Sequence, residues 1–318
     1  MTRTIGLDIG GTKCAVVSVD DNGRPRLAQR IPTGAPAPTL AALLDAVAAL
    51  KPGPAPLFGI SCGDPLDSER GVIQSPPNLP GWDDIAITHL LTERFGGRAY
   101  LMNDANAGAL AEWTFGAGRG CRNMIFLTAG TGMGAGLILN GQLYEGACGA
   151  AGEVGHVRLA EDGPDGYGKK GSFEGFCSGG GIARLALRRL AAEPRDTPLK
   201  HVAPANFSAR DVAAAASKGD PVALSILEEA GRYLGRGLAV LLDILNPDAI
   251  VIGNVYARCR SFLEPAMRRE LERESLHRAL ACCRISPAEL GEEIGNYAAV
   301  AVAQYRAGTT TTRLRGMF

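Results

Sequence analysis

Thr128-Ala129-Gly130-Thr131-Gly132-Met133-Gly134-Ala135-Gly136 is the stretch on which the reading of this chain turns. Met124-Ile125-Phe126-Leu127 reads as a strand entering it, and Leu137-Ile138-Leu139 as a strand leaving it. Glycine admits positive φ and lets a ligand come close to the backbone. Successive N–H groups in such a turn form a concave anion site suited to phosphate. Hairpins use glycine too, so the turn taken alone admits either reading. Downstream stand Glu153-Val154-Gly155-His156 and then Glu174. Two carboxylates and an imidazole just beyond a phosphate-type turn suggest a polyhydroxylated substrate beside a nucleotide.

The chain around this stretch has 318 residues, enough for two domains with cores of their own. Its 46% hydrophobic and 21% charged content is that of an ordinary globular protein. Basic and acidic residues balance, which removes the electrostatic footprint of a nucleic-acid binder. No apolar run reaches membrane-spanning length. Met1-Thr2-Arg3-Thr4 leads straight into a strand without a signal-peptide pattern, so a cytoplasmic location is expected. The eight cysteines are scattered with no C-x-x-C and read as reduced, mostly buried thiols.

From the N-terminus, Thr4 to Ile9 reads as a buried strand, followed by Gly10-Gly11-Thr12-Lys13 and a second strand at Cys14 to Val19. Asp21-Asn22-Gly23 signals a hairpin, and a third strand at Leu27 to Pro32 closes a meander. The glycine spacing fits neither a Rossmann fingerprint nor a P-loop. Asp8, at a strand end beside Gly-Gly-Thr, suits a metal–phosphate site, or it caps its own turn. Thr39 is the expected cap of a helix carrying Leu40, Leu43, Leu44, Val47 and Leu50. A strand at Leu57 to Ser61 precedes a long Gly/Pro-rich loop running to Trp82, of the kind that is often functional. A helix at Ile85 to Phe95, a strand at Tyr100 to Met102 and a helix at Ala105 to Trp113 follow. Asp104 sits just beyond a strand's carboxyl end, where ligands of α/β sheets bind, and it is equally a candidate helix cap.

Beyond Glu174, helices are expected from about Ser178, from Ser208, over Pro221 to Leu245 and over Phe262 to Arg273, with strands at Ala249 to Ile252 and Arg284 to Ser286. A final helix is expected at about Asn296 to Ala307, with Thr309 to Arg313 as a tail. Each half begins with strands around a glycine turn and then alternates helix and strand. Two such halves imply an interdomain cleft. The expected division is an N-terminal α/β domain over 1–116, with a C-terminal helix at 296–318 as a candidate to complete it, and a second α/β domain over 117–295.

Taken together, the motifs resemble those of the ROK sugar kinases, within the actin-like ATPase superfamily of ribonuclease-H-like fold. Asp8-Ile9-Gly10-Gly11-Thr12-Lys13 is similar to the first phosphate motif, and Gly130-Thr131-Gly132-Met133-Gly134 to the second. Asn78-Leu79-Pro80-Gly81-Trp82 resembles the family's NLPGW loop, Asn103-Asp104-Ala105-Asn106 its catalytic segment and Glu153-Val154-Gly155-His156 its sugar segment. The resemblance implies Asp104 as general base on a sugar hydroxyl, with Asn78, Asn103, Glu153, His156 and Glu174 on the other hydroxyls. It implies ATP on Gly10, Gly11, Thr12, Lys13, Thr131, Gly132, Gly134 and Gly253, with Mg²⁺ held by Asp8 through water. It also implies a homodimer built through the second domain.

Two departures qualify it. Where such kinases carry three zinc-binding cysteines beside the histidine, this chain has Asp165, Tyr167 and Ser172, with the glycines and Glu174 still in register. Tyrosine and serine are poor zinc ligands, so no structural zinc is expected. Cys148 and Cys177 are expected to be core thiols. Hydrogen bonds among Asp165, Tyr167 and Ser172, or to nearby backbone, are expected to hold the loop and orient His156, unless the loop orders only on sugar. The second departure is Gly253-Asn254-Val255, where a glycine run is usual: Asn254 tolerates positive φ, whereas Val255 resists it. Polyphosphate is the alternative donor. A sugar-binding ROK regulator and a non-catalytic sugar sensor are the alternative functions. The first is disfavoured because Asp8 leaves no room for a preceding DNA-binding segment, and the second by the presence of Asp8, Asp104 and both glycine loops.

Overall fold

The computed structural model describes residues 3–308. In chain order its regular elements are β1 (Thr4–Ile9), β2 (Lys13–Val19), β3 (Pro25–Pro32), α1 (Pro36–Ala49), β4 (Leu57–Cys62), β5 (Leu66–Asp67), β6 (Val72–Ile73), α2 (Ile87–Phe95), β7 (Arg98–Asn103) and α3 (Asp104–Phe115). There follow β8 (Met124–Ala129), β9 (Met133–Leu139), β10 (Gln142–Tyr144), β11 (Asp165–Gly166), β12 (Lys169–Lys170), α4 (Phe173–Cys177), α5 (Gly179–Ala191), α6 (Ala209–Ser217) and α7 (Pro221–Leu245). The series ends with β13 (Ala249–Ile252), α8 (Val255–Glu274), α9 (His277–Cys282), β14 (Arg284–Pro287) and α10 (Ile294–Arg306). No helix among the described residues is long and apolar enough to cross a membrane.

The chain divides into two units, one of Met1–Gly120 with Glu289–Phe318 and one of Cys121–Ala288. The first division therefore falls after Gly120 rather than after residue 116, and the second before Glu289 rather than after residue 295. Within the expected segment 296–318, residues 309–318, including the Thr309 to Arg313 tail, lie outside the described residues.

Both units are built on one strand plan. The first sheet runs β3-β2-β1-β4-β7 and the second β10-β9-β8-β13-β14. In each, the first three strands form an antiparallel meander and the last two join in parallel.

Period-two alternation decides what each face of the first sheet carries. Ile5, Leu7 and Ile9 of β1 pack with Phe58, Ile60 and Cys62 of β4 and with Leu43 and Val47 of α1. The residues between them, Gly6 and Asp8 on β1 and Gly59 on β4, face the other way, toward α10. That face is made for close approach. A Cβ on Gly59 would lie 2.0 Å from the Ala299 carbonyl oxygen, and one on Gly6 would lie 2.8 Å from the Ala299 Cβ. The same alternation in the second sheet sends Ile125, Leu127 and Ala129 of β8 and Ile250 and Ile252 of β13 into a separate core, which α7 and α8 share. Those two helices approach at Gly231 and Gly235, where a Cβ would come within 2.5 Å of the Leu263 and Met267 carbonyl oxygens.

Several helix limits differ from expectation for local reasons. Thr39 does not cap α1, which begins at Pro36. Its hydroxyl instead accepts the Gly34 N–H at 3.1 Å. The long loop before Trp82 contains the β5–β6 hairpin. Trp82 and Leu79 are fully buried there, and the indole donates to the Gly34 carbonyl at 3.1 Å. The helix expected from Phe262 begins at Val255, and α4 and α9 are additional. All eight cysteines are free thiols, but only Cys14, Cys62, Cys177 and Cys259 are buried. Cys148, expected in the core, is exposed.

Glu112 is a charged side chain with no exposed surface, on a helix packed on all sides. Its carboxylate accepts N–H bonds from Ala117 at 2.8 Å, Glu289 at 3.2 Å and Leu290 at 2.9 Å. These groups belong to the two segments by which the chain leaves the first unit and re-enters it. Charge-assisted bonds of this kind are the strong ones, and removing the acceptor strands several donors at once. Glu112→Ala should cost about 3 kcal/mol of unfolding free energy, seen as a lowered urea midpoint. Glu112→Gln, which keeps one acceptor oxygen, should lose less.

Candidate functional site

In the first unit the β1–β2 turn, the loop carrying Asn78 and the start of α3 come together. Gly10 N donates to the Lys13 carbonyl at 3.2 Å, and the Thr33 hydroxyl donates to the Gly10 carbonyl at 2.6 Å. Neither Gly10 nor Gly11 has positive φ. Gly11 is needed for space instead: a Cβ there would lie 2.4 Å from the Asn78 carbonyl oxygen. Thr12 and Lys13 are exposed at the turn. Asn78 also brings its side-chain amide to within 3.3 Å of where a Cβ on Gly63 would stand.

The ambiguity at Asn103-Asp104 resolves into a division of labour. Asn103 is the cap of α3, its side-chain oxygen accepting the Asn106 N–H at 2.8 Å. Asp104, considered above as the cap, is the first residue of the helix and has an exposed side chain. A helix N-terminus favours a carboxylate in its charged form. Asn106, the last residue of this motif, is 2% exposed, and its side-chain oxygen has no hydrogen-bond partner.

Asp8 feels this neighbourhood. Its pKa is raised from 3.8 to about 6, chiefly by burial, then by the Asp104 charge, with Lys13 pulling it down. Burial pushes the Cys62 thiol up as well, and Asp104 adds to it. Gly295 was not foreseen. A Cβ on it would lie 2.2 Å from the Asp8 carboxylate, so the first turn of α10 rests against this group. Nothing in the spacing of Ile294-Gly295-Asn296 connects it to residue 8. The donors here are hard carboxylate oxygens, and two like charges that raise each other's cost of ionisation favour a divalent cation such as Mg²⁺.

In the second unit, the glycine stretch is the β8–β9 hairpin, with Ala129 opposite Met133 and Gly134 opposite Thr128. Gly130 and Gly132 have no positive φ either. Their lack of a side chain admits neighbours: a Cβ on Gly132 would stand 2.9 Å from Glu174 Oε2, and one on Gly130 would stand 3.3 Å from Asn254 Nδ2. Glu174 is 7% exposed; its Oε2 accepts the Met133 N–H at 3.0 Å, and its Oε1 lies 3.9 Å from Arg184. The Gly130 and Thr131 carbonyls accept N–H bonds from Gly179 and Gly180 at 2.7 and 3.2 Å, which seats the start of α5 on the turn. Gly253 is buried at the end of β13, and its N–H reaches the Leu127 carbonyl at 2.9 Å. Asn254 alone takes positive φ, 54°, and donates to the Thr128 hydroxyl at 3.0 Å, so Val255 is spared and opens α8.

Glu153 precedes and His156 ends a single 3-10 turn, Val154–His156, and both are exposed. A Cβ on Gly155 would lie 2.5 Å from the Met133 carbonyl, so this turn rests on β9 beside the glycine hairpin. Of the two bonding patterns expected at the three substituted positions, the one to nearby backbone is seen at Ser172, whose hydroxyl donates to the Gly166 carbonyl at 3.4 Å. Ser172 caps α4, accepting the Gly175 N–H at 3.1 Å, and Asp165 is exposed in the β11–β12 hairpin. Tyr167 places its ring against His156. Among the described residues no three His, Cys, Asp or Glu side chains are grouped as they would be to hold a metal ion.

With this geometry in hand, comparison with known proteins is decisive. A profile of the ROK family matches residues 4–306. The chain belongs to the ROK family. It is similar to the glucokinase of Streptomyces coelicolor, 34% identical over 263 residues, which is 80% of this chain and 82% of that enzyme. The Halalkalibacterium halodurans glucokinase is 33% identical over 307 residues, 92% of each chain. The Bacillus subtilis xylose repressor is 26% identical over 298 residues, 91% of this chain and 73% of the repressor. Among solved structures, a ROK glucokinase from Streptomyces griseus in complex with glucose and AMPPNP superposes with a TM-score of 0.75 at 31% identity, covering 95% of this chain and 99% of that one. The mixed α/β, two-domain architecture described above is that of the family's actin-like ATPase kinases.

The raised Asp8 pKa has a measurable sign. The fold holds the Asp8 proton more tightly than the unfolded chain does, so this group's contribution to stability is full below about pH 4 and is lost as pH rises through about 6. A carboxyl ¹³C titration without divalent cations should show Asp8 with a midpoint near 6. In Asp104→Asn the midpoint should fall but stay above the ordinary range, because burial, the larger cause, remains.

Proposed function

We propose that this chain is a sugar kinase that transfers the terminal phosphoryl group of ATP to a hydroxyl of a hexose or N-acetylhexosamine. The observation that carries the reading is the division between Asn103 and Asp104: the cap is supplied by one residue, and the exposed carboxylate beside Asp8 is left to the other. Asp104 takes the proton of the sugar hydroxyl as that oxygen bonds to the γ-phosphorus. The bond from that phosphorus to the β–γ bridging oxygen breaks, and ADP carries away the electron pair. Asp8 would hold Mg²⁺ through water, and the ion would supply charge neutralisation on the phosphoryl oxygens.

The remaining work is positioning. In the first unit, Gly10, Gly11, Thr12 and Lys13 present N–H, hydroxyl and ammonium groups to phosphate, while Asn78 and the Asn103 amide nitrogen meet sugar hydroxyls. In the second, the turn of Thr131, Gly132 and Gly134 serves phosphate and Gly253 lies on the adenosine side. Glu153, His156 and the Oε1 of Glu174 serve the sugar. Glucokinases among the relatives, one of them solved with glucose and AMPPNP, support the sugar-kinase reading. The repressor relative favours a second reading, a sugar-binding regulator, which would bind sugar without releasing ADP.

The reading extends to cofactors and assembly. The three positions that would bear zinc ligands are otherwise engaged or exposed, so purified protein should contain no stoichiometric zinc by elemental analysis. A homodimer through the second unit is part of the reading, supported by apolar side chains left exposed on α7, such as Val240 at 39% and Ile244 at 71%.

A coupled ADP-release assay over glucose, mannose and their N-acetyl derivatives tests the activity, with a parallel polyphosphate arm testing the donor. Asp104→Asn should lower kcat by about 10²–10⁴-fold while leaving the sugar KM within a few-fold. Near-normal turnover would assign the base elsewhere, and no ADP release from the wild type on any sugar would favour the regulator.

A further inference from the structure

We propose that Tyr167 is a positioning residue for the sugar site, its ring holding the imidazole of His156 in a fixed plane. The proposal rests on the kinase reading and assigns a residue that acts through His156.

The backbone gives the first argument. Tyr167 and Gly168 are the two residues between β11 and β12, with φ of 53° and 67°. A two-residue hairpin with both central residues at positive φ selects Asn-Gly, Asp-Gly or Gly-Gly. Glycine stands where it is wanted, but a tyrosine at positive φ is strained, because its Cβ crowds the backbone. Burial does not explain it, since the side chain is 60% exposed. A residue that fits its turn badly and is not part of a core draws attention to what its ring touches.

The ring lies on His156, with centroids 4.4 Å apart and planes inclined at 31°. Aromatic pairs at such separations attract in offset or tilted arrangements. The contact uses the face of the imidazole. Both ring nitrogens lie on its edge, so stacking fixes the plane without consuming either as a hydrogen-bonding group. A hydroxyl bonded in that plane keeps its direction only while the ring cannot turn.

The rest of the hairpin reinforces this. Lys169 donates from Nζ to the His156 carbonyl at 2.8 Å, so the backbone and the ring of one residue are held by neighbouring positions of one hairpin. On its other side a Cβ on Gly166 would come 2.5 Å from the Ser172 hydroxyl and 3.0 Å from the Glu174 Cβ. One short hairpin therefore sets His156 and the root of Glu174 relative to each other.

The test compares Tyr167→Asn with Tyr167→Phe, using glucose and ATP in the coupled assay together with thermal denaturation. Asparagine suits positive φ, so Tyr167→Asn keeps the turn and removes the ring. Its melting temperature should equal or exceed that of the wild type. Its glucose KM should rise about three- to tenfold with the ATP KM within twofold. Tyr167→Phe, which keeps the ring and loses the hydroxyl, should restore the wild-type glucose KM. In proton NMR the His156 ring signal, assigned by its loss in His156→Gln, should lose its ring-current shift in Tyr167→Asn and keep it in Tyr167→Phe. A glucose KM unchanged in Tyr167→Asn, a His156 signal that does not move there, or a Tyr167→Phe variant as impaired as Tyr167→Asn would overturn the proposal. A wild-type chain that releases no ADP with glucose or with any other sugar of the panel would instead remove the kinase reading, and with it the role given to Tyr167.

Discussion

The bond from the Met133 N–H to the carboxylate of Glu174 is the contact around which the second unit's candidate site is arranged. It requires Gly132, because any side chain there would meet the same carboxylate. It requires α4 to begin at Phe173, which the Ser172 cap ensures. It also brings the strand leaving the glycine hairpin to the helix that carries a sugar-facing candidate. A buried carboxylate that accepts a backbone N–H resists displacement, since moving it would strand both partners. Phosphate and sugar candidates in this unit are therefore parts of one packed assembly, in which neither shifts alone.

The sequence disclosed strands and long helices well because their signals are local. Asp220 before Pro221 and Asn246 after Leu245 mark both ends of α7 through capping chemistry, and the β1–β2 and β8–β9 meanders follow from apolar runs broken by glycine. Misreadings arose where tertiary contact decides. The glycines of both turns invited an argument from positive φ, yet their role is to leave room for Asn78, Glu174 and Asn254. Glu112 stands in a run of small and apolar residues whose helix is buried all round, so no polar face announces it. Its partners lie about 180 residues away in part. At the thiolate positions the expected bonding to nearby backbone holds at Ser172, while the contact of Tyr167 with His156 is not announced. Stacking of Tyr167 on His156 depends on the direction of a side chain from an unusual backbone angle, which spacing does not encode.

Repetition of one strand plan explains why two glycine turns occur, and the differences between the copies explain the chemistry. In the first unit the fifth strand, β7, runs directly into a helix, so Asn103 and Asp104 arrive at a helix N-terminus with the α10-facing side of β1 supplying Asp8. In the second, the corresponding β14 ends without a following helix of its own unit, and the functional candidates come instead from the segments inserted between β10 and α5. The proposed base Asp104 and the candidate hydroxyl contacts Glu153, His156 and Glu174 thus come from different copies of the same scaffold.

The course of the chain also bears on the order in which the protein can be made. Residues Cys121–Ala288 form a complete unit inserted between two parts of the other. The helix that covers Gly6 and Gly59, α10, is synthesised only after that insertion. During translation the first sheet therefore emerges with one side unclothed, and it stays so while 168 further residues are added. At typical elongation speeds this interval is on the order of ten seconds. That side carries Gly6, Gly59 and Asp8, and beside them Ala15 and Val17, which in the finished protein pack against Val300 of α10. The small residues give α10 its close seat, and Val17 gains its apolar partner on that side only when α10 arrives.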